Sequence, residues 1–135
     1  MAEQGRETKQ PLTFRVQPAA LRRLRHHAEE LGVSQTSLAE RYLEEGLRRD
    51  VHPLVYFRDG AGGRRAAVIG TRLDVWQVVD TVKNSDGQAD AAATYLEIPR
   101  ASVYASLRYY AEYADEIDHW TKRAAGVAER EQSLS

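Results

Sequence analysis

Between Leu12 and Asp50 the stretch LTFRVQPAALRRLRHHAEELGVSQTSLAERYLEEGLRRD patterns as one strand and two helices, too little chain to bury a core of its own. Leu12, Phe14 and Val16 alternate with Thr13, Arg15 and Gln17, the two-residue period of a strand with one buried face. Pro18 cannot donate in a ladder but suits the first position of a helix. Leu21, Leu24, Ala28 and Leu31 follow it at helical spacing, and Gly32 supplies the stop. Ser34 caps a second helix running to about Arg49, with Leu38, Ala39, Tyr42, Leu43, Gly46 and Leu47 as its apolar stripe. Units below roughly 40 residues usually need a metal, disulfides or a second copy to bury enough surface. The chain has no cysteine, so the expected solution is a homodimer in which a second copy of the strand covers the open edge and joins two half-cores.

The charge pattern gives this unit a chemical character. Overall balance is unremarkable, 19 basic against 20 acidic residues, and predicts no nucleic-acid binding by itself. Locally, Arg15, Arg22, Arg23 and Arg25 fall in a run from Leu12 to Arg25 that contains no acid. The alternating TFRV, the proline-led first helix and GVSQTSL at the turn into the second resemble the ribbon-helix-helix superfamily of DNA-binding proteins, the CopG/Arc/MetJ type. That resemblance implies a two-stranded ribbon, one strand from each chain, in the DNA major groove, with the N-termini of the second helices on phosphates. Carried over by position, Thr13, Arg15 and Gln17 would read bases, and their side chains have the matching chemistry, Arg for guanine, Gln for adenine and Thr for a thymine methyl. Arg22, Arg23 and Arg25, with Ser34, Gln35 and Thr36, would hold phosphates.

The second half carries a different pattern. LVYFRDGAGGRRAAVIG reads as a hairpin across a Gly-rich turn from Gly60 to Gly63; an anion nest beside Arg64 and Arg65 is the less favoured reading, since no P-loop pattern is present. Asp74 with Gln77 makes a capping-box start, and Val75, Val78, Val79 and Val82 make one helix face. In AAATYLEIPRASVYASL, Ala93, Leu96, Ile98, Val103 and Leu107 resemble the buried positions of a helix-turn-helix, although Glu97 stands where that turn usually has glycine and Pro99 stands at the cap. Arg100, Ser102, Tyr104 and Arg108 would then form a second DNA or partner surface, opposed by Glu97 and by the acids after Arg108. GTRLDVW together with this bihelical unit is similar to a family of antitoxin-like domains of unknown function encoded beside PIN-like ribonuclease toxins, the partners of VapB-type antitoxins. That similarity implies a cognate toxin as a partner of the C-terminal half. Of Tyr104, Tyr109, Tyr110, Tyr113 and Trp120, half or more are expected in the core and the rest at an interface.

The expected architecture is mainly α. A flexible tail covers residues 1–11, a ribbon-helix-helix unit 12–50, a hairpin or linker 51–73, a helix-turn-helix-like domain 74–125 and a second flexible tail 126–135. The four histidines form no metal-ligand pattern, no nucleophile elbow is present, and the carboxylates form no acid-base constellation. Neither an enzyme nor a cofactor nor a metal is therefore expected. With no long apolar run and no signal-peptide pattern, the expected setting is cytoplasmic without membrane contact. The expected function is a DNA-binding repressor acting as an antitoxin. A stand-alone regulator with no toxin, or a structural dimerisation protein, remains open.

Overall fold

In the computed structural model, which describes residues 7–134, the chain divides into two units, one ending at Leu47 and the other beginning at Arg48.

The first unit is a pair of helices preceded by an irregular segment. α1 spans Pro18–Leu31, entered from an extended Gln17 and opened by the proline whose φ is already helical. It ends on Gly32, whose φ of 68° lies in the left-handed region that favours glycine, while the Val33 amide bonds back to the Ala28 carbonyl at 3.1 Å. α2 spans Gln35–Val51, and the Ser34 hydroxyl caps it by accepting the Ser37 amide at 3.0 Å. Both helices were legible, but the strand expected over Leu12–Gln17 is not formed in the single chain: residues 11–17 have no regular secondary structure. A strand exists through its ladder, and no described residue pairs with this segment. Ala28 and Leu38 are the buried apolar residues of the described part of this unit.

The second unit begins with the last turn of α2. Strands β1 (Val55–Gly60) and β2 (Gly63–Val68) pair antiparallel from Val55↔Val68 to Gly60↔Gly63, leaving Ala61 and Gly62 as the turn. Helices follow at α3 (Val75–Asn84), α4 (Ala89–Leu96), α5 (Arg100–Glu112) and α6 (Ala114–Leu134). The hairpin is therefore part of this unit, not a linker. α3 starts in the expected capping box, with the Asp74 amide donating to Gln77 Oε1 at 2.8 Å. Its four valines enter one core with Val55, Ala66 and Val68 of the hairpin, Ala92 and Ala93 of α4, Val103 and Tyr109 of α5, and Ile117 of α6.

Residues 126–134, expected as part of a flexible tail, continue α6. The sequence there holds no proline and only one glycine, Gly126, so nothing local stops the helix. Of the expected N-terminal tail, residues 1–6 lie outside the described residues and 7–11 carry no helix or strand. The aromatic set divides much as expected: Tyr109 and Trp120 are buried, Tyr110 and Tyr113 half-buried, Tyr104 exposed. Tyr109 is the polar pin of this core. Its hydroxyl donates to Glu116 Oε2 and accepts from Arg48 Nη1, each at 2.7 Å, and Arg48 lies 4.0 Å above the Tyr113 ring.

Candidate nucleic-acid interface

The residues expected to touch DNA in the first unit are all exposed. Thr13, Arg15 and Gln17 alternate with Leu12, Phe14 and Val16, which are exposed as well; Phe14 shows 67 % of its surface. An apolar row left this open is the physical sign of a face without its partner. Tyr42, Leu43 and Leu47 are further exposed apolar side chains, on α2.

Arg22, Arg23 and Arg25 stand exposed on α1. With a helix turning 100° per residue, Arg22 and Arg25 sit 60° apart and Arg23 lies 100° from Arg22, so the three spread over the same outer half of the helix. None of them, nor Arg15, forms an ion pair among the described residues. Ser34 spends its hydroxyl on the α2 cap, accepting the Ser37 amide and donating to Ser37 Oγ at 2.8 Å. The backbone amides of Gln35 and Thr36 remain without an acceptor among the described residues, at the positive end of the helix dipole. This is an anion-attracting arrangement: free guanidinium groups on one helix and free amides opening the next.

The α4–α5 corner is built as a tight bihelical turn. Glu97 occupies the left-handed region with φ 56°, the position usually given to glycine, and Pro99 is the N-cap of α5. Ala93 and Val103 are buried, while Leu96, Ile98 and Leu107 pack half-buried against the core. Arg100 Nε lies 2.7 Å from Asp90 Oδ1, and its guanidinium is 5.6 Å from the Tyr104 ring centre. Hydrogen bonding to Tyr104, then the Asp90 charge, holds the Arg100 pKa above its ordinary value.

Ser102 corrects the expected surface. It is 6 % exposed, and its carbonyl accepts the Ser106 hydroxyl at 2.9 Å inside the unit. Arg100, Tyr104 and Arg108 share a face because they are spaced by four, whereas a step of two carries Ser102 about 200° round the helix and into the core. Tyr95 takes its place as an exposed side chain at this corner, with 79 % of its surface open. Its signal was present in the spacing: Ala89, Ala92, Ala93 and Leu96 define the inward face of α4, and Tyr95 falls about 110° from its middle. The acids after Arg108 are less free to repel an anion than the sequence implies. Glu116 is bound to Arg48 and Tyr109, and Asp118 Oδ1 accepts the Tyr110 hydroxyl at 2.8 Å beside Lys83.

Among the described residues, no group of three or more His, Cys, Asp or Glu side chains is placed to hold a metal. No described helix is long and apolar enough to cross a membrane. No family model matches the sequence, and no match to it was found among curated proteins or among solved structures.

Proposed function

We propose that the chain is a dimeric, sequence-specific DNA-binding repressor of the antitoxin type. The observation that carries this reading is the first unit's incomplete core: Leu12, Phe14 and Val16 lie open in a segment whose alternate residues are Thr13, Arg15 and Gln17. Pairing that segment with its copy in a second chain covers the apolar row and turns the polar row outward as a two-stranded ribbon. The ribbon then reads base edges in the major groove through Arg15, Gln17 and Thr13, while Arg22, Arg23, Arg25 and the first-turn amides of α2 neutralise phosphates. The second unit serves the protein partner, a ribonuclease toxin, and Tyr95, Tyr104, Arg100 and Arg108 are among the exposed groups of α4 and α5 available to it.

Binding titrations with operator and scrambled duplexes at several salt concentrations test the reading. Arg15→Ala should cost about 1–3 kcal/mol per copy on the operator and relax specificity, whereas Arg22→Ala should weaken both duplexes alike and flatten the salt slope. A chain that sediments as a folded monomer at micromolar concentration, or an Arg15→Ala variant as selective as the parent, would end it.

A further inference from the structure

Within the second unit the β1–β2 turn, the segment leading into α3, and α6 line an open-sided cavity of ≈ 420 Å³, inside the usual range for small-ligand sites. Arg58, Arg65, Arg72 and Arg123 line it against two carboxylates, Asp74 and Glu131. The buried Asp74 is already shared, with Arg58 Nη2 at 2.6 Å from one oxygen and Arg65 Nε at 2.7 Å from the other. The second contact is too bent to be a hydrogen bond, and Arg65 turns Nη1 to the Ala61 carbonyl at 2.8 Å instead. Arg72 and Arg123 have no ion-pair partner among the described residues. In a chain of net charge −1, an excess of two positive charges is concentrated around one concave surface, and a bound anion relieves their mutual repulsion.

Two features mark this place as shaped for such a ligand. A Cβ on Gly60 would meet the Arg65 guanidinium and one on Gly62 that of Arg123, so two of the four cations lie directly against the bare backbone of the turn. The walls between the charges are apolar: Arg65 lies 5.4 Å from the Trp120 ring centre, and Trp76 and Val127 also face the cavity.

We propose that this cavity binds a free phosphate ester of nucleotide size, its phosphate on Arg72 and Arg123 and its ring against Trp76 and the apolar face of α6. Guanidinium groups match phosphate oxygens in paired hydrogen bonds, the negative charge of a nucleotide's phosphate group offsets the excess of two, and the volume leaves room for a flat body beside indole. No residue before Arg48 takes part, so the site stands whether or not the first unit reads DNA.

Both tryptophans of the chain line the cavity, so the intrinsic fluorescence of the full-length protein reports on it directly. The chain is titrated with adenosine diphosphate, inorganic phosphate, adenosine and a short single-stranded oligonucleotide phosphorylated at one end, with calorimetry as a second readout. Adenosine diphosphate should give a saturable change, with inorganic phosphate and adenosine each at least about tenfold weaker. Arg72→Ala and Arg123→Ala should each weaken binding about tenfold or more, as expected for charge-assisted hydrogen bonds. Arg130→Ala, on the same helix but outside the cavity, should leave it unchanged. Arg72 and Arg123 are exposed, so their variants should keep the parent's helicity, which circular dichroism verifies. The proposal is overturned by no saturation with adenosine diphosphate up to about 10 mM, by parental affinity in either arginine variant, or by binding of the oligonucleotide alone.

Discussion

The two units bury their apolar residues in opposite ways. In the second, valines from the hairpin and α3 close on α4, α5 and α6 into one core containing a fully buried tyrosine. In the first, Leu38 is fully covered while Phe14, Leu43 and Leu47 stand open. A core that closes within one chain has a stability independent of concentration, whereas a half-core borrows its stability from whatever covers it. The same 135-residue chain should therefore unfold in two ways, one set by temperature or denaturant alone and one set also by dilution.

The largest test of that contrast places a carboxylate in each core. Val103→Asp should cost the second unit about 3 kcal/mol or more, because a buried unpaired charge has no local remedy, and denaturant midpoints should fall equally at all protein concentrations. Phe14→Asp should leave the isolated monomer nearly as stable as before and raise the dissociation constant of the proposed dimer by about 100-fold, read by sedimentation across a dilution series. If the two substitutions act alike, the contrast between the units is wrong.

A smaller effect is expected at the tyrosine pin. Tyr109→Phe removes a hydroxyl held between Arg48 and Glu116, which remain 2.8 Å apart, and should cost the second unit about 1 kcal/mol. Burial first, and the Glu116 charge second, push the Tyr109 pKa above its ordinary value. The folded state therefore keeps this proton after the unfolded state has released it. That contribution is complete below about pH 10 and is lost as pH rises beyond it. Stability of the parent should fall more steeply than that of Tyr109→Phe above that pH, measured by urea unfolding of both proteins.

The smallest expected change is a gain. Glu97 holds a left-handed φ of 56° at the end of α4, so Glu97→Gly should stabilise the second unit by about 1 kcal/mol and raise its unfolding midpoint without altering the dilution dependence of the first.

Signals that act over a few residues were legible. Pro18 and Gly32 bracket α1, Asp74 and Gln77 open α3, and the glycine turn joins β1 to β2. Features that depend on a ladder partner or on distant residues were not. The strand at Leu12–Gln17 has the right alternation, but alternation supplies no ladder partner. Ser102 shares a short motif with Arg100 and Tyr104, which suggests an outward position, although helix geometry turns it inward. The cavity draws on Arg58, Arg65, Arg72, Asp74, Trp120 and Arg123, residues up to 65 positions apart, whose spacing has no period. Only the glycines beside Arg64 and Arg65 hinted at it, and those are explained as readily by a hairpin.

α2 runs unbroken from Gln35 to Val51, while the division between the units falls at Leu47 and Arg48, inside it. The division between the two units thus falls within a helix rather than in a linker. A fragment beginning after Asp50, where the sequence motif of the first unit ends, would lose Arg48, and with it the cation paired to Glu116, bonded to Tyr109 and stacked on Tyr113. Fragments meant to isolate each unit must overlap along α2, and a protease seeking the boundary would meet helix where a linker is usually found.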